Sequence, residues 1–281
     1  MCVGGPLTCP APGCTFNAGH GVRHGKLGDT WTDLRPTTQK VELNVTYQCP
    51  LDCTGCNRGS FLQKPHTPDM TLDDVREFFR QADDLCWKPR ITLIGGEPTL
   101  HPQFLEILDM CTVWSEHRVE IWSNAFAPRA KQLLKLARKK GAAIQKDTQK
   151  PMGARRGPRS ETDYWVLDQC ISPADFGITR DACFQHHSVI CATAVGANGY
   201  GPCSLAGGID ALLNVGATTR TLADMFDREK VAALTEAACR HCGSQFMERD
   251  DKGHTTDVSH LPVRFGVRMS PTWVNAFQGR K

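Results

Sequence analysis

The chain of 281 residues contains no apolar run approaching the about eighteen residues that a membrane-spanning helix needs, so no membrane insertion is expected. Its first residues, Met1-Cys2-Val3-Gly4-Gly5-Pro6, lack a basic region followed by an apolar core, and no secretory signal is expected. Acids are almost missing between residues 129 and 159. There Arg129, Lys131, Lys135, Arg138, Lys139, Lys140, Lys146, Lys150, Arg155, Arg156 and Arg159 stand against Asp147 alone. Aromatic residues are missing from the same stretch, which weakens a nucleic-acid reading, because bound single strands are held by rings as well as charges. The stretch reads first as the solvated face of a helix whose buried side is Leu133, Leu134, Leu136 and Ala137. A phosphate-facing edge is the sharper alternative, and salt-dependent binding would test it. What the chain has in abundance is cysteine, fourteen in all. Without a signal, that enrichment argues for metal or cluster ligation in a reducing, low-oxygen cytoplasm rather than a disulfide framework.

Three of these cysteines, Cys49, Cys53 and Cys56, fall in the run Y-Q-C-P-L-D-C-T-G-C, directly after the β-prone stretch 41–47. Three thiolates on one short loop can hold three corners of a cubane iron–sulfur cluster, where a ferredoxin-type site uses four. The fourth iron is then open to a substrate. A second strand, 90–94, ends in Gly95-Gly96-Glu97-Pro98. A zinc site or chance is the competing reading of the cysteines alone. The two motifs in this order resemble the radical S-adenosylmethionine (radical SAM) superfamily. The resemblance implies that SAM chelates the open iron through its amino and carboxylate groups and is split by one electron into methionine and a 5′-deoxyadenosyl radical. It further implies that Gly95, Gly96, Glu97 and Pro98 meet the SAM methionine amino group, since glycines permit close approach and a carboxylate accepts from an ammonium. Ser123 and Asn124 match a family position that contacts the SAM carboxylate or ribose. Many members carry an aromatic residue before the third cysteine, where this chain has Gly55. Backbone contacts would then hold the adenine.

Strands and helices alternate from about residue 41. Strands are expected at 41–47, 90–94, 119–124 and 142–146. Thr71-Leu72-Asp73-Asp74 is a capping box opening a helix with Leu72, Val75, Phe78, Phe79, Ala82 and Leu85 on its apolar face. Pro102 is expected to open the helix carrying Phe104, Leu105, Leu108 and Cys111, and a basic helix follows Pro128. Cys86 and Cys111 read as core residues. This alternation indicates parallel βαβ units with functional groups at the strand C-termini. The expected fold is therefore α/β. The resemblance makes it a partial (β/α)6 TIM-like barrel, with the remaining strands somewhere in residues 157–180. Four segments are expected: a Cys/Gly/Pro-rich N-terminal segment (1–35), a radical SAM core (36–180), a small auxiliary domain (181–243) and a C-terminal tail (244–281) anchored by Phe265 and Trp273.

The auxiliary domain is read from a hairpin at Asn198-Gly199 and a helix opened by Thr221-Leu222-Ala223-Asp224. That helix runs through Phe226, Val231 and Leu234 to Cys239-Arg240-His241-Cys242, with Gly243 as its stop. Hairpin, helix and CxxC resemble the twitch domain, the short relative of SPASM domains, which implies an auxiliary four-iron cluster. The preferred ligands are Cys191, Cys203, Cys239 and Cys242, with Cys183 in reserve. A two-residue turn at Asn198-Gly199 would put Cys191 and Cys203 on opposite faces, so a three- or five-residue bulged loop is expected. If the turn has two residues, Cys183 becomes the better choice. Zinc on the same thiolates is the competing reading. Cys9, Cys14, His20 and His24 could close around a further metal or bind nothing; Cys2 or Cys170 could complete such a site, and His186-His187 reads as a polar loop.

Chains with a twitch-type cluster are similar to a dehydrogenase of aminoglycoside biosynthesis. The expectation that follows is oxidation, or a related rearrangement, of a polar small molecule. The adenosyl radical would remove a hydrogen, a base would take the proton and the auxiliary cluster would accept the second electron. The electron donor would be a flavodoxin or ferredoxin. Lys146, Asp147 and Asp175 are candidate bases by position alone. Modification of a ribosomally made peptide is the alternative, although residues 1–35 are too short for a winged-helix leader-binding domain. A non-catalytic electron carrier would need neither an open iron nor Gly-Gly-Glu-Pro.

Overall fold

The strands β1 (Thr37–Thr46), β2 (Arg90–Gly95), β3 (Val119–Ser123), β4 (Ala143–Lys146), β5 (Ala192–Gly196) and β6 (Gly199–Gly201) make one sheet in the order β4-β3-β2-β1-β5-β6. The structure is a computed structural model describing residues 37–51, 58, 60–63, 67–146, 172–176, 192–242 and 271–278. All pairings are parallel except that of β5 with β6. The fold is mixed α/β with a parallel-dominated sheet, consistent with the partial barrel expected. The expectations for residues 1–35, for most of 157–180 and for the tail before residue 271 lie outside the described residues.

Crossovers between the first four strands run through α1 (Leu72–Asp84), α2 (Phe104–Trp114) and α3 (Ala130–Lys139). α1 begins where the sequence places it. Thr71 Oγ1 accepts from Asp74 N while Asp74 accepts from Thr71 N, which satisfies donors the helix leaves open. Val75, Phe78 and Ala82 form its buried stripe. α2 starts at Phe104, two residues later than Pro102 predicts, with Gln103 as the flanking residue. α3 buries Ala130, Leu134 and Ala137 and exposes its Lys and Arg side chains, so the described part of the basic stretch is a solvated helix face. Cys111 is fully buried in the core, and burial pushes its thiol pKa up. Cys86 departs from the expectation: it lies beyond the end of α1 at φ 52°, half-buried and disulfide-bonded.

One face of the sheet carries Val41, Leu43, Val45, Ile91, Leu93, Val119, Ile121 and Val195, packed against the helices as the main core. The opposite face carries the alternate residues Lys40, Glu42, Asn44 and Thr46 of β1, and none is more than 8% exposed. Both sides of β1 are therefore buried, one apolar and one polar.

The hairpin expected to belong to a separate domain continues this sheet, because β5 pairs in parallel with β1 through Val41↔Thr193 and Leu43↔Val195. Its turn also differs from the expected bulge. Gly196↔Gly199 closes a two-residue turn at Ala197-Asn198, one residue earlier than predicted. Gly199 takes φ 110°, and a Cβ there would meet Thr219 O at 2.2 Å. β6 ends at Gly201, and Pro202, which has no N–H to give a ladder, precedes Cys203. Strand parity therefore does not govern the direction of the Cys203 thiol. Cys183 and Cys191, the alternatives that depended on it, lie outside the described residues.

The helix predicted from Thr221 is divided. Residues Leu222–Phe226 form a 3-10 turn, and Thr221 makes no side-chain cap. The physical cause is competition for the capping groups. Leu222 N donates to Gln81 Oε1 on α1, and Asp224 accepts from Thr219 Oγ1 and Lys230 Nζ. Asp227 instead caps the true helix, α5 (Arg228–Cys239), by accepting from Glu229 N and Lys230 N. Between hairpin and 3-10 turn lies α4 (Ala206–Leu213), and α6 (Pro271–Gln278) closes the described structure.

Candidate functional site

β1 ends at Thr46, and the chain runs on through Tyr47 and Gln48 to Cys49 beside the end of β2. Two hydrogen bonds clamp these ends together: Gly96 N donates to Thr46 O at 2.7 Å and Glu97 N to Gln48 O at 2.8 Å. Such contact requires residues without side chains. A Cβ on Gly95 would lie 2.1 Å from Thr46 O, and one on Gly96 would lie 2.4 Å from Gln48 O and 2.6 Å from Tyr47 O. The two glycines thus serve the approach of one backbone to another. They hold the first residues of the cysteine loop in place, a role the sequence reading did not assign to them.

Glu97 makes its contacts within the protein. It is fully buried, and its carboxylate is engaged by protein donors on both oxygens. Oε1 accepts from Thr99 N and Thr99 Oγ1, Oε2 accepts from Asn124 N at 2.8 Å, and Ser123 Oγ lies 2.9 and 3.0 Å from the pair. A carboxylate offers about four acceptor sites, and these contacts use them. Glu97 is the tie between the end of β2, the Pro98–Leu100 3-10 turn and the end of β3. Replacing it with Gln would put an amide NH2 against a backbone N–H at either oxygen position. Glu97→Gln is expected to lose about 2 kcal/mol of stability in cluster-free, SAM-free protein, measured by urea unfolding.

Ser123 and Asn124 are likewise committed to local contacts. Ser123 Oγ accepts from Ala125 N, and Asn124 Oδ1 accepts from Phe126 N at 2.9 Å. Asn124 Nδ2 points the other way and lies 3.5 Å from Cys49 Sγ. Cys49, Gly95, Gly96, Glu97, Pro98, Ser123 and Asn124 are therefore brought together at the C-terminal ends of β1, β2 and β3. Cys53 and Cys56 lie outside the described residues. For a cluster carried by the cysteine loop, the described donor set fits: a half-buried thiol next to a side-chain N–H, on a loop start that backbone contacts hold rigid.

A polar cluster that sequence reasoning missed joins this site to the later part of the chain. Arg58, two residues past Cys56, donates from Nη2 to Glu42 Oε2 at 3.0 Å and from Nη1 to Ser204 O at 2.9 Å. Lys40 Nζ lies 3.2 Å from Glu42 Oε1. Burial alone would raise the Glu42 pKa, but Arg58 and Lys40 offset it and leave the carboxyl below its ordinary value of 4.5. Gln63 adds a second tie, donating to Gly208 O at 2.8 Å. Tyr47 sits between the two regions. Burial, opposed by Arg58 and assisted by Cys203, pushes its phenol up to about 12, so it stays protonated. The sequence signal for Arg58 was only its place after the third cysteine.

Around Cys203 the structure brings together Leu205, Ala206, Ile209, Ala238, Cys242 and Trp273 in a second apolar cluster. Cys203, Cys239 and Cys242 are each buried. Cys242 follows the last turn of α5, where Trp273 Nε1 donates to His241 O and Ser172 Oγ lies 3.1 Å from His241 Nδ1. Among the described residues, no three His, Cys, Asp or Glu side chains group as a metal site. Asp175, a candidate base by position, instead holds the start of α6 by accepting from Thr272 N and Thr272 Oγ1. The Lys146 side chain, Asp147, Cys9, Cys14, His20 and His24 lie outside the described residues. Among those described, no helix is long and apolar enough to cross a membrane.

The chain resembles two solved structures of BtrN. One, in complex with AdoMet and 2-DOIA, is 16% identical with a TM-score of 0.47 and covers 74% of this chain and 94% of that chain. The other, in an open conformation, is 15% identical with a TM-score of 0.39 and covers 84% of this chain and 96% of that chain. No curated protein matches. The family model described as the Radical SAM superfamily matches residues 43–147. The matched segment holds the Cys49 loop, the Gly-Gly-Glu turn and the end of β3.

Proposed function

We propose that this chain uses its radical SAM domain to oxidise a polar small molecule by hydrogen abstraction, with a second iron–sulfur cluster taking the other electron. The match of residues 43–147 to the radical SAM family model supports radical SAM chemistry in general. When bound, the cluster on Cys49, Cys53 and Cys56 and its SAM supply the 5′-deoxyadenosyl radical. A second cluster would draw on Cys203, Cys239, Cys242 and either Cys191 or Cys183 and would supply an electron acceptor; its assembly would have to gather the three described thiols, which do not group as a metal site in this structure.

The observation that carries the reading is the tie between the two cysteine regions across the polar face of β1. Arg58 fixes the Ser204 carbonyl beside Cys203, Gln63 fixes Gly208, and Tyr47, two residues before Cys49, interacts electrostatically with both Arg58 and Cys203. A polar substrate is favoured by the polar face of β1. There Asn44 is 4% exposed, its Oδ1 has no hydrogen-bond partner among the described residues, and it lines a small cleft with Tyr47, Thr67, Ala194 and Asn198. A buried amide oxygen left without a donor is costly, and a substrate hydroxyl or ammonium would satisfy it. Glu42 is neutralised by Lys40 and Arg58 and so serves to position the loop rather than to take a proton.

The test is product analysis. Reduced, anaerobically reconstituted protein with SAM should release 5′-deoxyadenosine; its absence from protein with full iron and sulfide would overturn the reading. Cys239→Ala should hold about half the iron of wild type, and unchanged iron would remove the second cluster from Cys239.

A further inference from the structure

We infer that Asn124 is a hydrogen-bond donor to the Cys49 sulfur and sets the reduction potential of the cluster held there, acting as a positioning residue rather than a SAM ligand. The inference rests on the reading of Cys49 as a cluster ligand and adds a specific electronic role for a side chain on another strand.

The orientation of the Asn124 amide follows from its partners. Phe126 N–H can only donate, so the group 2.9 Å from it must be the amide oxygen. The other end of the amide is then the NH2, and that is the end 3.5 Å from Cys49 Sγ. The geometry suits a bond to sulfur, whose larger radius lengthens the donor distance beyond that to oxygen. The amide is not free to turn away. Asn124 is 5% exposed, its backbone N–H is bound by Glu97 Oε2, and the next residue, Ala125, is held at φ 58°. Rotation of the side chain would cost the Phe126 contact within a buried turn.

The electronic consequence is one of sign. A thiolate that accepts a hydrogen bond gives less charge to its iron. The added electron of the reduced cluster is then better tolerated, and hydrogen bonds to the ligand sulfurs are among the factors that set cluster potentials. Removing the donor should therefore make reduction harder. With the modest net strength of one such bond, the expected change is about tenfold in the one-electron reduction equilibrium, or about 59 mV to more negative potential. Asn124 also sits at the end of β3, tied through Glu97 to the end of β2. The same contacts that assemble the site thus aim this donor at the sulfur.

The test compares reconstituted wild type, Asn124→Ala and Asn124→Asp by redox titration followed by EPR, with iron and sulfide measured on each. Asn124→Asp keeps an acceptor for Phe126 N–H and removes the donor, so it serves even if Asn124→Ala fails to fold. The expected result is equal iron in the variants and wild type, and a midpoint shifted negative, further for Asp than for Ala because it also places a negative charge near the sulfur. Full iron with an unchanged or more positive midpoint in Asn124→Asp would overturn the inference. A Cys49→Ala protein that loads and titrates like wild type would defeat the reading beneath it, and that outcome is distinguishable because it needs no Asn124 variant.

Discussion

Gly96→Ala is expected to destabilise the protein by about 3 kcal/mol and to sharply reduce the iron it retains. The obstacles to a new Cβ are carbonyl oxygens of Tyr47 and Gln48 at 2.6 and 2.4 Å, not side chains that could rotate. Relief requires the end of β2 to move from the end of β1, which would break the Gly96–Thr46 and Glu97–Gln48 hydrogen bonds. Overpacking in cores typically costs about 1–3 kcal/mol, and rigid backbone obstacles place this change at the upper end. Cys49 follows Gln48 directly, so the same movement displaces the first thiol of the loop. Urea unfolding of the cluster-free protein measures the first effect, and iron content after reconstitution measures the second. A variant with wild-type stability and full iron would show that the glycines do not hold the loop as the distances imply.

Arg58→Met should cost a similar amount, about 3 kcal/mol, through electrostatics. The substitution leaves Glu42 buried with Lys40 as its remaining cation and removes the donor to Ser204 O. Breaking a buried pair from one side costs about 3–5 kcal/mol, and Lys40 holds this case near the lower figure. The acid dependence follows from the direction of the Glu42 shift. A carboxyl whose folded pKa lies below its ordinary value contributes stability above that value and loses it as the pH falls through the folded pKa. The gap between wild type and Arg58→Met should therefore be full at neutral pH and narrow as the pH falls below the ordinary carboxyl value and through the lowered pKa of Glu42. A gap independent of pH would point to lost packing instead.

Much of the architecture was legible from local pattern. The Thr71 box, the apolar stripe of α1 and the strands ending in Gly-Gly-Glu and Ser123-Asn124 depend on neighbours in sequence, and they appear where the pattern puts them. What was not legible depends on partners far along the chain. Thr221-x-x-Asp224 has the same local form as Thr71-x-x-Asp74 but does not cap: Thr219 Oγ1 takes the Thr221 N–H and shares the Asp224 carboxylate with Lys230, while Gln81, far back in the chain, binds Leu222 N. The alternation of polar and apolar residues in β1 has the form of a strand with one wet face, yet Lys40, Glu42, Asn44 and Thr46 are buried. Nothing local announces that Arg58 will close over that face. Glu97 shows the same limit at the site: sequence places the acid correctly but cannot tell that Thr99, Ser123 and Asn124 occupy its oxygens.

The place of β1 between β2 and β5 has a consequence for synthesis. Residue 41 leaves the ribosome long before its partner at residue 193 exists. In that interval one border of a growing sheet shows bare N–H and C=O groups, which can template pairing with another chain. The late hairpin is therefore the seam that seals a strand made early, and a chain interrupted before residue 192 would carry that border permanently into solvent.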